Sequence, residues 1–182
     1  MNQGLDPPRL RRAYFESRHG QLHVHNAIPV GGGFDELTTL VCLHGTGATG
    51  RVFQELSQRL GRTRSVYSPD LPGCGESDGP ASALSAAAYA EAIADFLDSM
   101  RFRQVDLLGA GTGAAVAIEL SLLRPKVTRK IVLLGTVQPE GWQSGSRLPL
   151  AKQPRLDLPG ITPQQVAQAE GKMVSALLEF LT

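Results

Sequence analysis

Between residues 38 and 134, short apolar runs alternate with longer amphipathic stretches, and this alternation restricts the fold more than any other feature of the chain. Residues 38–43 form an unbroken β-branched and apolar run, the pattern of a strand covered on both faces. Residues 52–60 read as a short helix and 65–68 as a strand stopped by Pro69. Ser85 is placed to cap a helix that runs to Met100, with Tyr89, Ile93, Phe96, Leu97 and Met100 on one side. Residues 105–108 give another buried strand, then a glycine-rich turn, a helix over 114–124 ended by Pro125, and a strand over 130–134. Strand-helix-strand alternation of this kind predicts an α/β fold, a mainly parallel sheet with helices on both faces.

The flanks differ. Residues 13–17 and 21–26 surround Arg18-His19-Gly20 and predict an N-terminal β-hairpin. In its second arm Leu22 and Val24 face one way and His23 and His25 the other, which makes the histidines solvent-facing strand residues. Residues 137–161 hold Pro139, Pro149, Pro154 and Pro159 and are expected to be an irregular loop. Thr162, Pro163 and Gln165 then supply a cap, a first-turn proline and a capping-box partner. The helix expected over 162–182 places Val166, Ala169, Met173, Ala176, Leu177 and Phe180 on one side. The whole chain, 1–182, reads as one domain, with sheet and helices over 13–136.

Composition fits a globular chain: 182 residues, 42% apolar, 19% charged, net charge +1. Arg9, Arg11 and Arg12 are the densest basic group, too narrow for a nucleic-acid surface and read as a solvated arm. Cys42 and Cys74 have no zinc or disulfide spacing, and no metal site is expected. Polar residues 1–12 with Pro7 and Pro8 are unlike a signal peptide, and no apolar run approaches the ~20 residues of a membrane helix. The expectation is a soluble, cytoplasmic protein.

Three glycine-bearing segments carry the functional reading. Leu43-His44-Gly45-Thr46-Gly47 follows a buried strand, where freed backbone N–H groups can point at a ligand oxygen. Asp70-Leu71-Pro72-Gly73-Cys74-Gly75-Glu76-Ser77-Asp78 follows the next strand. It closely resembles the D-x-x-G-x-G-x-S segment of α/β-hydrolases of the esterase, epoxide-hydrolase and dehalogenase type. The resemblance implies a structural loop beneath the active site, so that Asp70, Ser77 and Asp78 fix the loop and Cys74 is a partly exposed thiol rather than a nucleophile. Gly109-Ala110-Gly111-Thr112-Gly113 falls where that family has its nucleophile elbow, G-x-S-x-G between strand and helix.

Gly109 and Gly113 match the flanking glycines, but Gly111 occupies the nucleophile position, and glycine offers no atom for attack. The family's chain order also requires a histidine after the nucleophile. His19, His23, His25 and His44 all precede position 111, and Glu119, Glu140, Asp157, Glu170 and Glu179 follow it without an imidazole to orient. The resemblance runs from about residue 13 to 136. It implies a hydrolase scaffold without catalytic residues of its own, either degenerate or truncated, in which His44, Gly45, Thr46, Gly111 and Thr112 form an oxyanion-hole-like pocket. A small carbonyl or carboxylate ligand could sit there against the N–H groups of Thr46 and Thr112. An incomplete sheet further implies an edge that is covered or used for pairing with a protein partner.

Three alternatives stand beside this one. A C-terminal part or a partner chain could complete an active hydrolase. Gly109-x-Gly111-x-x-Ala114 fits the dinucleotide fingerprint, and Gly109-x-Gly111-x-Gly113 the cofactor loop of S-adenosylmethionine-dependent methyltransferases. Both of these need a ribose-binding acid after the next strand, which ends Leu133-Leu134-Gly135-Thr136, so no cofactor is expected. A Thr112 nucleophile would need a base as much as serine does. The C-terminal helix is either the start of a lid or a relocated final helix.

Overall fold

The computed structural model describes residues 6–32, 37–135, 152–168 and 172–182, with side chains of the last helix from 176 onward. Seven strands form one sheet: β1 (Arg9–Ser17), β2 (Gly20–Ile28), β3 (Thr39–Leu43), β4 (Val66–Pro69), β5 (Val105–Ala110), β6 (Thr128–Leu134) and β7 (Arg155–Leu158). Their spatial order is β1-β2-β4-β3-β5-β6-β7. The hairpin β1–β2 is antiparallel and joins β4 antiparallel, while every pair from β4 through β3, β5 and β6 to β7 is parallel.

Parallel strands need crossovers, and the helices supply them on two faces. A 3-10 turn over Gly50–Phe53 leads into α1 (Gln54–Leu60); α2 spans Ala86–Ser99 and α3 Thr112–Leu123. The period-2 alternation within β3 shows how both faces are buried. Val41 and Leu43 pack with Ile93, Phe96 and Val116 in one core, and Leu40 and Cys42 with Leu56, Val132 and Leu177 in the other. Ser85 caps α2 by accepting from Ala88 N–H at 3.2 Å, and Tyr89, Ile93, Phe96 and Leu97 form its buried face.

Part of the expected loop over 137–161 is strand. Arg155–Leu158 pairs with β6 in the register Ile131↔Arg155 to Leu134↔Leu158; residues 136–151 lie outside the described set. The segment after it is described as α4 (Pro163–Gln168) and α5 (Lys172–Leu181), with 169–171 outside it. Its capping box is present: Gln165 N–H donates to Thr162 Oγ1 at 3.2 Å and Thr162 N–H to Gln165 Oε1 at 2.8 Å. Val166, Leu177 and Leu181 are buried, whereas Ala176 is exposed, so the apolar face is rotated from the expected one.

The end of α5 is held by cations. Arg64 Nη2 donates to Leu181 O at 3.0 Å, Arg129 Nη2 to the same oxygen at 2.7 Å, and Lys130 Nζ to Phe180 O at 2.7 Å. Terminal carbonyls lack intrahelical partners, and positive groups match their partial charge. Both arginines also reach Asp106, which is fully buried: Arg129 through two bonds of 2.8 and 2.6 Å, Arg64 at 3.4 Å. No described helix is long and apolar enough to cross a membrane.

Candidate functional site

The glycines of the third segment are set by close approach. A Cβ on Gly113 would strike the carbonyl of Leu43, and one on Gly109 would strike the carbonyl of Gly113. Any side chain at either place would push α3 off β3 and β5. Gly111 sits between them at the tip of β5, N-capping α3 with φ 56° and ψ −123°. An L side chain rarely adopts this conformation, yet there is room for one: a Cβ would meet only Gly45 Cα, at 3.6 Å. The turn therefore has the shape of a nucleophile elbow, and its exposed apex is bare.

The expected pocket residues separate. Gly45, Thr46 and Thr112 line a cavity of about 130 Å³ together with Leu71, Cys74 and Tyr89. Thr46 Oγ1 and Thr112 Oγ1 are hydrogen-bonded at 2.5 Å, tying the loop after β3 to the first turn of α3. Thr112 N–H belongs to that first turn, where the helix itself supplies no acceptor. Gly111 and His44 do not line the cavity. Gly111 N–H donates to Leu134 O at 3.3 Å.

His44 is fully buried, with Nδ1 2.8 Å from Gly45 O and Nε2 accepting from Leu71 N–H at 2.9 Å. These partners require a neutral ring with the proton on Nδ1. Burial pushes its pKa below the ordinary 6.5 in the same sense. With both nitrogens occupied, the ring fastens two loops and has none left for a ligand.

The second segment is a knot built on Asp70. Its carboxylate accepts from Gly50 N–H at 2.6 Å, Glu76 N–H at 3.1 Å and His23 Nδ1 at 2.9 Å. Despite burial, these donors hold its pKa below the ordinary 3.8. Ser77 Oγ donates to Asp70 O at 2.7 Å and accepts from His23 N–H at 2.9 Å, and Asp78 Oδ2 accepts from Gln21 N–H at 2.9 Å. All three side chains fix the loop to β2. Burial and then Asp70 raise the Cys74 pKa, and burial pushes Cys42 up to about 12, so both are protonated thiols at neutral pH.

His23 does not face solvent as expected, and His25 does so only in part. The alternation holds, with Leu22 and Val24 in the core opposite. The second face of β2, however, is covered by the Asp70 loop and the 3-10 turn, leaving His23 only 1% exposed and His25 partly buried. Strand periodicity assigns faces but not what covers them. Of the later carboxylates, Asp157 pairs with Arg155 at 2.9 Å, and Glu140 and Glu170 lie outside the described residues.

Residues 40–179 match the model of the Alpha/beta hydrolase family. The chain belongs to this family. The match reaches past residue 136, where the resemblance was expected to end, and takes in β7, α4 and most of α5. Membership and topology together favour the hydrolase scaffold over the dinucleotide and methyltransferase alternatives.

Among curated proteins, the chain is 35% identical over 82 residues to a 2-hydroxymuconate semialdehyde hydrolase of Pseudomonas putida, covering 44% of this chain and 29% of that protein. It is 35% identical over 100 residues to a pimeloyl-[acyl-carrier protein] methyl ester esterase of Neisseria meningitidis, covering 54% and 30%. Among solved structures, the epoxide hydrolase CorEH superposes with TM-score 0.66 at 18% identity, over 78% of this chain and 47% of that one. A serine-to-glycine mutant of the N-acyl homoserine lactonase AidH, complexed with N-hexanoyl homoserine lactone, superposes with TM-score 0.60 at 25% identity, over 69% and 45%. The matched stretches thus span less than a third of these curated relatives and under half of these solved chains.

Proposed function

We propose that this chain is an α/β-hydrolase scaffold that binds a small carbonyl or carboxylate compound without hydrolysing it. The carrying observation is Gly111 at the apex of an intact elbow, with no histidine later in the chain. Removing a triad leaves only oxyanion stabilisation and binding, a residual ~10³–10⁴ over water. Support for retained binding comes from the lactonase mutant, which carries glycine for serine and is complexed with a lactone.

The 130 Å³ cavity beside Thr46 and Thr112 is small against the roughly 300–1,000 Å³ of drug-sized sites, which favours ligands of a few heavy atoms. One hydroxyl proton of the bonded Thr46–Thr112 pair and the Thr112 N–H remain as donors for one oxygen. A partner chain could pair with the edge strand β7.

Melting curves with acetate and with γ-butyrolactone test the binding. Either probe should raise Tm saturably, by a stabilisation of about 2.7 kcal/mol at a hundredfold excess over Kd. The rise should vanish in a Thr46→Val, Thr112→Val double variant. No rise with either probe, or an undiminished one in the variant, contradicts the proposal. The coverage favours a second reading: the relatives extend well beyond the matched stretch, so further chain or a partner could bring an acid and a base. That hydrolase would still need a nucleophile other than residue 111.

A further inference from the structure

A cavity of about 720 Å³, much larger than the one at the elbow, lies against the hairpin instead. Cross-strand pairs set one wall: Tyr14 stands opposite His23 and Arg12 opposite His25, so these four side chains share one side of the hairpin. Arg51 joins them from the 3-10 turn and Glu76 from the Asp70 loop. None of these residues lines the cavity at the elbow.

Two groups on this wall are left without a partner. Asp70 is ionised and can only accept, so the proton between it and His23 sits on Nδ1. In the neutral ring Nε2, on the side away from Asp70, is then a bare lone pair. It is buried and has no hydrogen-bond partner among the described residues, a condition folded proteins rarely leave unmet. Tyr14 and Glu76 lie against it. The Tyr14 and His23 ring centroids are 5.1 Å apart, Glu76 Oε2 is 3.9 Å from Nε2, and the Tyr14 hydroxyl donates to that same oxygen at 3.0 Å. The second group is Arg51. Arg12 stands 3.8 Å from Glu76, whereas the exposed Arg51 has no ion pair among the described residues.

We propose that this cavity binds a polyhydroxylated anion of the sugar phosphate or sugar acid class, with its charged group on Arg51 and a hydroxyl donating to His23 Nε2. The volume falls within the roughly 300–1,000 Å³ of small-molecule sites, room for a hexose-sized ligand. Guanidinium groups take carboxylate or phosphate oxygens through paired hydrogen bonds. Burial holds the His25 pKa below the ordinary 6.5, so an arginine rather than an imidazolium meets the charge. Only a donor satisfies Nε2, and hydroxyls are the neutral donors that such anions carry in numbers. Glu76 repels the anionic end and accepts from further hydroxyls, which sets the ligand's direction in the cavity. Tyr14 is 51% exposed and the Glu76 side chain 53%, so both can swing aside to let a hydroxyl reach Nε2.

The test is calorimetric titration of the full chain with glucose 6-phosphate and with gluconate, which separate phosphate from carboxylate as the charged group. At least one should bind as a single saturable equivalent. Butyl phosphate, which lacks hydroxyls, and sorbitol, which lacks charge, should bind at least about tenfold more weakly, the worth of one good hydrogen bond. Arg51→Ala should weaken binding by more than about tenfold, as loss of a charged hydrogen-bonding group does. Arg62→Ala, which removes another exposed positive charge, should leave it unchanged. At saturation the ¹⁵N resonance of His23 Nε2 should shift, read in the unaltered protein so that Asp70 keeps its donor. Absence of a saturable equivalent with either sugar anion, butyl phosphate binding as tightly, or an affinity that survives Arg51→Ala overturns the site. So does an unmoved Nε2 resonance, which would mean that water alone meets that lone pair.

Discussion

Gly111 holds φ 56° and ψ −123° in a turn that a hydrolase of this family would fill with a strained serine. A side chain there meets no steric wall, so Gly111→Ser isolates the backbone cost, on the order of 1–3 kcal/mol. Denaturant melts with matching m-values should show a loss of about that size, and no esterase activity should appear, because the hydroxyl would lack a base. A neutral substitution would mean that the turn is relaxed. The strand-to-helix turn at Gly111 was legible in the sequence from Gly109 and Gly113. The burial of His23 and His44 was not. Their partners, Asp70 and Leu71, lie 47 and 27 residues away and meet them only after β4 inserts between β2 and β3.

At the scale of elements, α5 is fastened as well as packed. Arg64, Arg129 and Lys130 cap its carbonyls, and Lys130 Nζ also lies 5.5 Å from the Phe180 ring centroid. Leu177 and Leu181 pack α5 against one face of the sheet. Asp106 compensates the two arginines, so Asp106→Ala leaves buried positive charge without its partner. Breaking such a pair costs about 3–5 kcal/mol, and chemical denaturation should show a loss of that size. A loss under about 1 kcal/mol would show that the clamp holds without Asp106. The capping box at Thr162 and Gln165 could be read from the sequence because it is local. Strand β7 could not, since Arg155-Leu156-Asp157-Leu158 is four residues between two prolines and is defined by pairing to β6.

Across the whole molecule, the strand order β1-β2-β4-β3-β5-β6-β7 brings three glycine segments from distant parts of the chain to one neighbourhood. The loop after β3 reaches the start of α3 through Thr46 and Thr112, and reaches the Asp70 loop through His44. Family and architecture were legible because these segments keep their spacing, and the face that the hairpin turns toward α1 was not. Glycine at the apex of a kept α/β-hydrolase scaffold is the basis of the proposed non-hydrolytic role. The most direct measurement is therefore exposure of the purified chain to a fluorophosphonate probe, with turnover of short p-nitrophenyl esters followed in parallel. The expected result is no covalent adduct by intact mass and no turnover above a boiled control. Stoichiometric labelling of any serine or threonine would contradict the account.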